Sequence, residues 1–282
     1  VVAPDYAGLG ISNHPHSYLV KKETAYSIWD SVKAAKNFSY SKRASDVSND
    51  IAMFGHSQGG GSTLFAYEYA NTNYSHGFNL KGIVASAPSP MWPIGFDALL
   101  SYSSTNVPSK VLTFLGLFTW ALSQYDTSLS LTDVLQSQVS TAISQNAESK
   151  CRDEISDENP FGNLTASQSV TTQFLSIISS ANSGTNSYAE RKSKYENKLN
   201  GWGNAFIENS PGNFSGKTIP IRILQGTSDT TSLKAWTDLM KDTIVLNNPS
   251  AEVSYKTVTG ATHDTILTQY DQYVDYLFTL LK

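Results

Sequence analysis

The sequence predicts an α/β fold: a mostly parallel sheet with helices on both faces and a helical insertion. Three observations predict it. Short apolar, β-rich segments recur without the strict alternation of a half-exposed strand, which suits strands covered on both faces. Helical periodicity fills the intervals between them, and strand alternating with helix implies parallel pairing through right-handed crossovers. One interval, Ala87 to Thr218, is too long for a single crossover and reads as an insertion.

The elements follow in order. Val1–Pro4, Ile51–Phe54, Gly82–Ser86, Ile219–Gln225 and Val253–Val258 are the strand candidates. Ala25, Ile28, Trp29, Val32 and Ala35 form an i, i+3, i+4 stripe and predict a helix before the second strand. A helix opens near Gln58 and carries Leu64, Phe65 and Ala70. Ile266, Leu267, Tyr270, Tyr273, Val274, Leu277, Phe278 and Leu281 predict a C-terminal amphipathic helix. Within the insertion, helices are expected near Pro93–Ser103, Val107–Gln124, Leu131–Ala147 and Ser167–Ala181, with a loop near Asn182–Ser187. The chain then divides into residues 1–90 and 216–282 as the core and 91–215 as a cap over the sheet.

Composition narrows the function. A chain of 282 residues with 40% hydrophobic residues can bury a core without disulfides or metal staples. The single cysteine, Cys151, has no CxxC partner, which disfavours redox catalysis and Cys-built zinc sites. No His/Asp/Glu grouping has metal-ligand spacing. The net charge of -4 offers no basic field for a nucleic-acid backbone. No apolar run reaches transmembrane length, the longest being Val111–Leu122. That stretch reads first as a buried cap helix, although Phe114, Leu115, Phe118 and Trp120 would also suit an acyl-chain groove. Abundant Ser and Thr with low charge lean towards a secreted protein.

The chemistry sits in Gly55-His56-Ser57-Gln58-Gly59, a G-x-S-x-G pentapeptide between an apolar strand and a helix. Strand, sharp turn and helix are the context of a nucleophile elbow. Such a turn strains the serine and demands small residues two places either side, which Gly55 and Gly59 supply, while Gly60 and Gly61 let the helix approach the sheet. Ser57 would project at the carboxyl ends of the strands, where α/β sheets hold their ligands.

The hydroxyl needs a base within hydrogen-bond reach. Of five histidines, His56 adjoins Ser57, but the elbow is expected to point it away. His14, His16 and His76 precede any acid in the expected chain order, and His14 and His16 read as loop residues around Pro15. His263 follows the last strand through Thr259-Gly260-Ala261-Thr262, and Asp229 follows the penultimate strand through Gly226-Thr227-Ser228. Asp229 could be only a turn residue, with Asp238 and Asp242 as fallbacks on a predicted helix, and His263 could be a helix cap. The order Ser57, Asp229, His263 is that of the α/β-hydrolases.

Val2-Ala3-Pro4-Asp5-Tyr6-Ala7-Gly8-Leu9-Gly10, His14-Pro15, Tyr18-Leu19 and Gly55–Gly60 resemble the secretory lipase family, most clearly over residues 1–90 and again over 219–265. The resemblance implies an α/β-hydrolase fold with a helical cap, cofactor-free hydrolysis of carboxylic esters and an extracellular location. It puts the nucleophile on Ser57, the acid on Asp229, the base on His263 and one oxyanion donor on the backbone N–H of Gln58. By that analogy Val1–Pro4 is a fourth strand. A third strand, with the loop supplying the other oxyanion donor, lies upstream of the sequence, so the chain is expected to be a fragment of a longer enzyme.

The function expected is therefore a serine hydrolase of small-molecule or lipid acyl esters, triacylglycerol lipase-like, with transient lipid-interface contact through the cap. A serine peptidase on the same fold and a non-catalytic binding protein that keeps the fold are the alternatives.

Overall fold

The computed structural model describes residues 1–10, 14–38, 48–75, 77–184 and 187–282; His76 and part of the predicted loop near Asn182–Ser187 lie outside them. In chain order the regular elements are α1 (Lys21–Asn37), β1 (Asp50–His56), α2 (Gln58–Glu68) and β2 (Asn79–Ser86). Next come α3 (Trp92–Gly95), α4 (Ser109–Tyr125), α5 (Ser137–Asn146), α6 (Arg152–Glu158), α7 (Ala166–Ser169), α8 (Thr172–Asn182), α9 (Tyr188–Tyr195) and α10 (Trp202–Glu208). Then follow β3 (Ile221–Gly226), α11 (Lys234–Asn247), β4 (Val253–Val258) and α12 (Tyr276–Leu280). These elements fall into two compact units: Val1–Tyr6, Lys21–Met91 and Pro211–Lys282 form the first, Ala7–Val20 and Trp92–Ser210 the second.

In the first unit the four strands among the described residues pair in the order β1-β2-β3-β4, all parallel. Ile83 faces Ile221 across β2 and β3, and Ile221 faces Val253 across β3 and β4. α2 packs on β1 and β2, α11 on β3 and β4, and α1 on α2. Trp29 of α1 is fully buried and donates its Nε1–H to Ala66 O of α2. The Tyr67 hydroxyl of α2 donates to Ile219 O just before β3. Each bond spends the one polar group of a large aromatic, so the ring can be buried without an orphaned donor.

Two expectations about this unit are corrected. Val1–Pro4 is not a strand: it pairs with none of the described strands, and Val1 and Val2 are exposed. An extended segment without a ladder leaves its backbone groups to water. The C-terminal helix is not continuous. It runs as a 3₁₀ turn (Thr265–Thr268), a π turn (Asp271–Asp275) and then α12. Side chains take main-chain carbonyls along it: the Tyr273 hydroxyl donates to Leu267 O and Arg222 Nη1 to Gln272 O. The apolar stripe survives the breaks, with Ile266 and Tyr273 packed on Val84, Leu224 and Ala261.

The second unit is a helical domain around an aromatic core. Trp92 stacks on Phe118 with ring centroids 3.8 Å apart, and Phe206 meets Phe96, Phe174 and Trp202. α4 is central: Leu112, Leu115, Phe118 and Trp120 are all buried. Ala7–Val20 folds on itself, with Ser17 N–H donating to Ala7 O and Gly8 pressed on the backbone of His16. It is tied to α4 by the Tyr125 hydroxyl on Pro15 O at 2.7 Å.

Two predicted helices here are each split, and by one contact. Leu135 and Val170 form an antiparallel bridge, flanked by Gln136 N–H on Ser169 O and Thr171 N–H on Val134 O. The bridge holds both segments extended. Leu131–Ala147 thus becomes a 3₁₀ turn and α5, and Ser167–Ala181 becomes α7 and α8, with Thr171 accepting from Phe174 N–H as the cap of α8.

Candidate active site

Ser57, Asp229 and His263 all lie in the first unit, just beyond the carboxyl ends of β1, β3 and β4. Parallel strands end on the same sheet edge, so three residues far apart in sequence converge there.

Ser57 joins β1 directly to α2 with φ 56° and ψ -118°. A non-glycine residue in this region costs about 1–3 kcal/mol. The turn is held by Ser57 N–H on Ser86 O at 2.9 Å and by Gly61 and Ser89 N–H on Ser57 O, both at 3.1 Å. The steric demand for small residues is met unevenly. A Cβ on Gly55 would lie 1.9 Å from Gly59 O and 2.4 Å from Thr63 Oγ1, and one on Gly60 would lie 2.9 Å from Ser86 O and Pro88 Cα. A Cβ on Gly59 would meet nothing within 4 Å, so the requirement expected at that position is absent among the described residues.

The serine also stands at the N-cap of α2 yet makes no side-chain cap bond. Its hydroxyl instead lies 2.8 Å from His263 Nε2. The first N–H groups of a helix have no intrahelical partner, and the helix dipole favours negative charge beside them. Gln58 is the first residue of α2, so its backbone N–H is one such donor.

His263 Nδ1 lies 2.8 Å from Asp229 Oδ2. The second carboxylate oxygen accepts from Thr231 N–H and Ser232 N–H, each at 2.8 Å. Burial pushes the Asp229 carboxyl pKa up, but the His263 bond and these two N–H groups outweigh it and hold the group below the ordinary aspartate value. The carboxylate is therefore an acceptor only, so the ring proton sits on Nδ1. The lone pair of the neutral imidazole is then on Nε2, facing the serine hydroxyl. A lone pair so placed can take the serine proton, and the carboxylate stabilises the cation that results.

The loops carrying the acid and the histidine are pinned together. Ser228 N–H donates to Ala261 O, and a Cβ on Gly226 would lie 2.3 Å from that same oxygen. Of the other candidates, Asp238 pairs with Lys234 and accepts from the Tyr255 hydroxyl, while Asp242 pairs with Lys241. His14 and His16 belong to the second unit. Among the described residues no three His, Cys, Asp or Glu side chains are grouped to hold a metal ion, and no helix is long and apolar enough to cross a membrane.

Three residues escaped the sequence reading. His56 does not point away: its ring packs on that of His263 with centroids 4.7 Å apart, and burial, with the neighbouring His263 second, lowers its pKa. Gln225 is fully buried and reaches Asp229. Gly226 permits the close approach of the two loops. Only Gly226 carried a signal, as a glycine closing an apolar strand.

The secretory lipase family matches residues 1–92. No curated protein matches the sequence. Among solved structures, a Legionella pneumophila protein described as a candidate hydrolase superposes with a TM-score of 0.74 at 18% identity, over 100% of this chain and 70% of its own. The rice cell wall degrading esterase LipA of Xanthomonas oryzae gives 0.74 at 16% identity, over 96% and 70%. Candida antarctica lipase A gives 0.59 at 15% identity, over 88% and 51%. The chain thus has the α/β-hydrolase fold, and its first 92 residues match the secretory lipase family.

Proposed function

We propose that this protein is a serine hydrolase of carboxylic esters, with lipid acyl esters as the substrate class. The observation that carries the reading is the His263 ring set 2.8 Å from both Ser57 Oγ and Asp229 Oδ2. Ser57 Oγ attacks the acyl carbon as its proton passes to His263 Nε2. The oxyanion that forms is met by the Gln58 N–H at the start of α2. Collapse expels the alcohol, which takes the proton from His263 and leaves an acyl-enzyme. Water, giving its proton to the same nitrogen, then releases the acid and restores Ser57.

The family match over residues 1–92 and the esterase and lipase neighbours support an ester substrate and an extracellular site of action. The same reading takes residues 91–215 as the cap. Lipid-interface contact through the cap gains nothing from Leu115, Phe118 and Trp120, which are buried.

The test is fluorophosphonate labelling of the purified chain, with the modified peptide located by mass spectrometry. Label on Ser57, absent from Ser57→Ala, is expected, together with turnover of a p-nitrophenyl ester series. Folded protein that takes no label and cleaves no ester would leave a binding protein on this fold. Amide turnover exceeding ester turnover would favour a peptidase.

A further inference from the structure

We infer that Gln225 is a positioning residue for Asp229, an inference that rests on the proposed serine mechanism. Gln225 is the penultimate residue of β3 and is fully buried. Its side-chain amide lies among three acceptors and one hydroxyl. Nε2 is 2.9 Å from Ser232 O, 3.1 Å from Gly226 O and 3.2 Å from Asp229 Oδ2, while Oε1 accepts from the Thr237 hydroxyl of α11 at 2.7 Å. This environment decides which end of the amide is which. Turned over, the oxygen of this fully buried side chain would face two carbonyls and a carboxylate with no donor between them.

The consequence falls on the carboxylate. Oδ2, the oxygen that receives His263 Nδ1–H, is also reached by Gln225, while Oδ1 is held by two backbone N–H groups. Donors therefore lie on both oxygens of Asp229, and the group has little freedom to rotate away from His263. The two N–H bonds of Gln225 are shared among Asp229 Oδ2 and two carbonyls that bracket the Asp229 turn, at Gly226 before it and Ser232 after it. The Ser232 hydroxyl extends the support to Pro88 O beyond β2. One buried amide thus fixes the acid's oxygen and the loop that carries it. The imidazole inherits that orientation, because Asp229 is its partner at Nδ1.

The test uses Gln225→Met, which keeps the length of the side chain and removes both polar ends, and Thr237→Val, which removes only the donor holding Oε1. Three quantities are read on the full chain, well below the melting temperature: kcat and KM for a p-nitrophenyl ester, the low-field proton resonance of His263 Nδ1–H, and Tm. Gln225→Met should lower kcat between about 10- and 100-fold with KM nearly unchanged, the size of effect that a misplaced catalytic group produces. The low-field resonance should move upfield or vanish. Thr237→Val should act in the same direction by less, and decides the matter if Gln225→Met does not fold. Unchanged kcat and resonance with only a lower Tm would overturn the inference and leave Gln225 a structural residue. The resonance does not depend on turnover. A wild-type chain that shows it but neither labels at Ser57 nor cleaves esters would sink the serine mechanism instead, independently of Gln225.

Discussion

At the scale of single residues, the elbow separates two glycines that the motif treats alike. The Cβ of Gly55→Ala would collide with Gly59 O, which is backbone and cannot rotate away. The expected outcome is loss of Ser57 labelling and a fall in Tm, or failure to fold. Gly59→Ala adds a methyl where nothing lies within 4 Å, inside the first turn of a helix. Alanine is preferred to glycine in a helix by about 1 kcal/mol, so Tm should hold or rise and labelling should persist. Thermal melts and labelling of both variants check the pair, and equal damage from the two would contradict the steric account. Ser57, Asp229 and His263 stood out as candidates because each comes soon after an apolar strand, a local signal. Gln225 and His56 were not. A glutamine at a strand end and a histidine beside a serine say nothing of what faces them, and their contacts come from a neighbouring loop and a second histidine brought in by the fold.

At the scale of elements, α2 is held at its C-terminal end as well as at the elbow. Its C-terminal end is met by Lys217, whose Nζ donates to Glu68 O and Ala70 O at 2.6 and 3.1 Å. A cation at a helix C-terminus satisfies orphaned carbonyls and complements the dipole. Lys217→Met should cost about 1.5–3 kcal/mol, the range for hydrogen bonds to a charged group. A denaturant melt should read that loss while Ser57 labelling of the folded protein stays at the wild-type rate. Among elements, β1, β2 and β3 were readable from apolar runs, β4 from its β-branched and aromatic residues, and α4 from its long apolar face. The Leu135–Val170 bridge was not readable. Both of its segments have helical periodicity, and a long-range pairing overrides that preference. The caps of α7 and α9 were present in the sequence as Thr165-x-x-Gln168 and Ser187-x-x-Glu190, both capping boxes that could have divided the insertion more finely.

At the scale of the molecule, the chain crosses between its two units more often than an insertion between two strands would require, because Ala7–Val20 groups with residues 92–210. Contacts such as Tyr125 on Pro15, more than a hundred residues apart, leave no local trace. Each unit also holds a half-buried histidine, and this bears on how stability responds to acid. Burial lowers the pKa of His16 in the second unit and of His56 in the first below the ordinary 6.5. Between the unfolded and folded values the unfolded chain binds more protons, so stability falls as pH drops below about 6.5. Asp229 acts lower on the scale. Its folded pKa is depressed, so its contribution is whole above the ordinary aspartate range and is lost as pH falls through the folded value. Tm should therefore be flat above about pH 7 and fall in two stages on acidification, histidines first and the carboxylate after. His16→Gln should flatten the upper stage, and Asp229→Asn should remove its share of the lower one while lowering Tm at neutral pH, where its buried partners lose the charge they hold. Calorimetry from pH 8 down to pH 3 reads both stages. A wild-type Tm that stays level from pH 7 to pH 5 would show that neither histidine resists protonation in the folded chain.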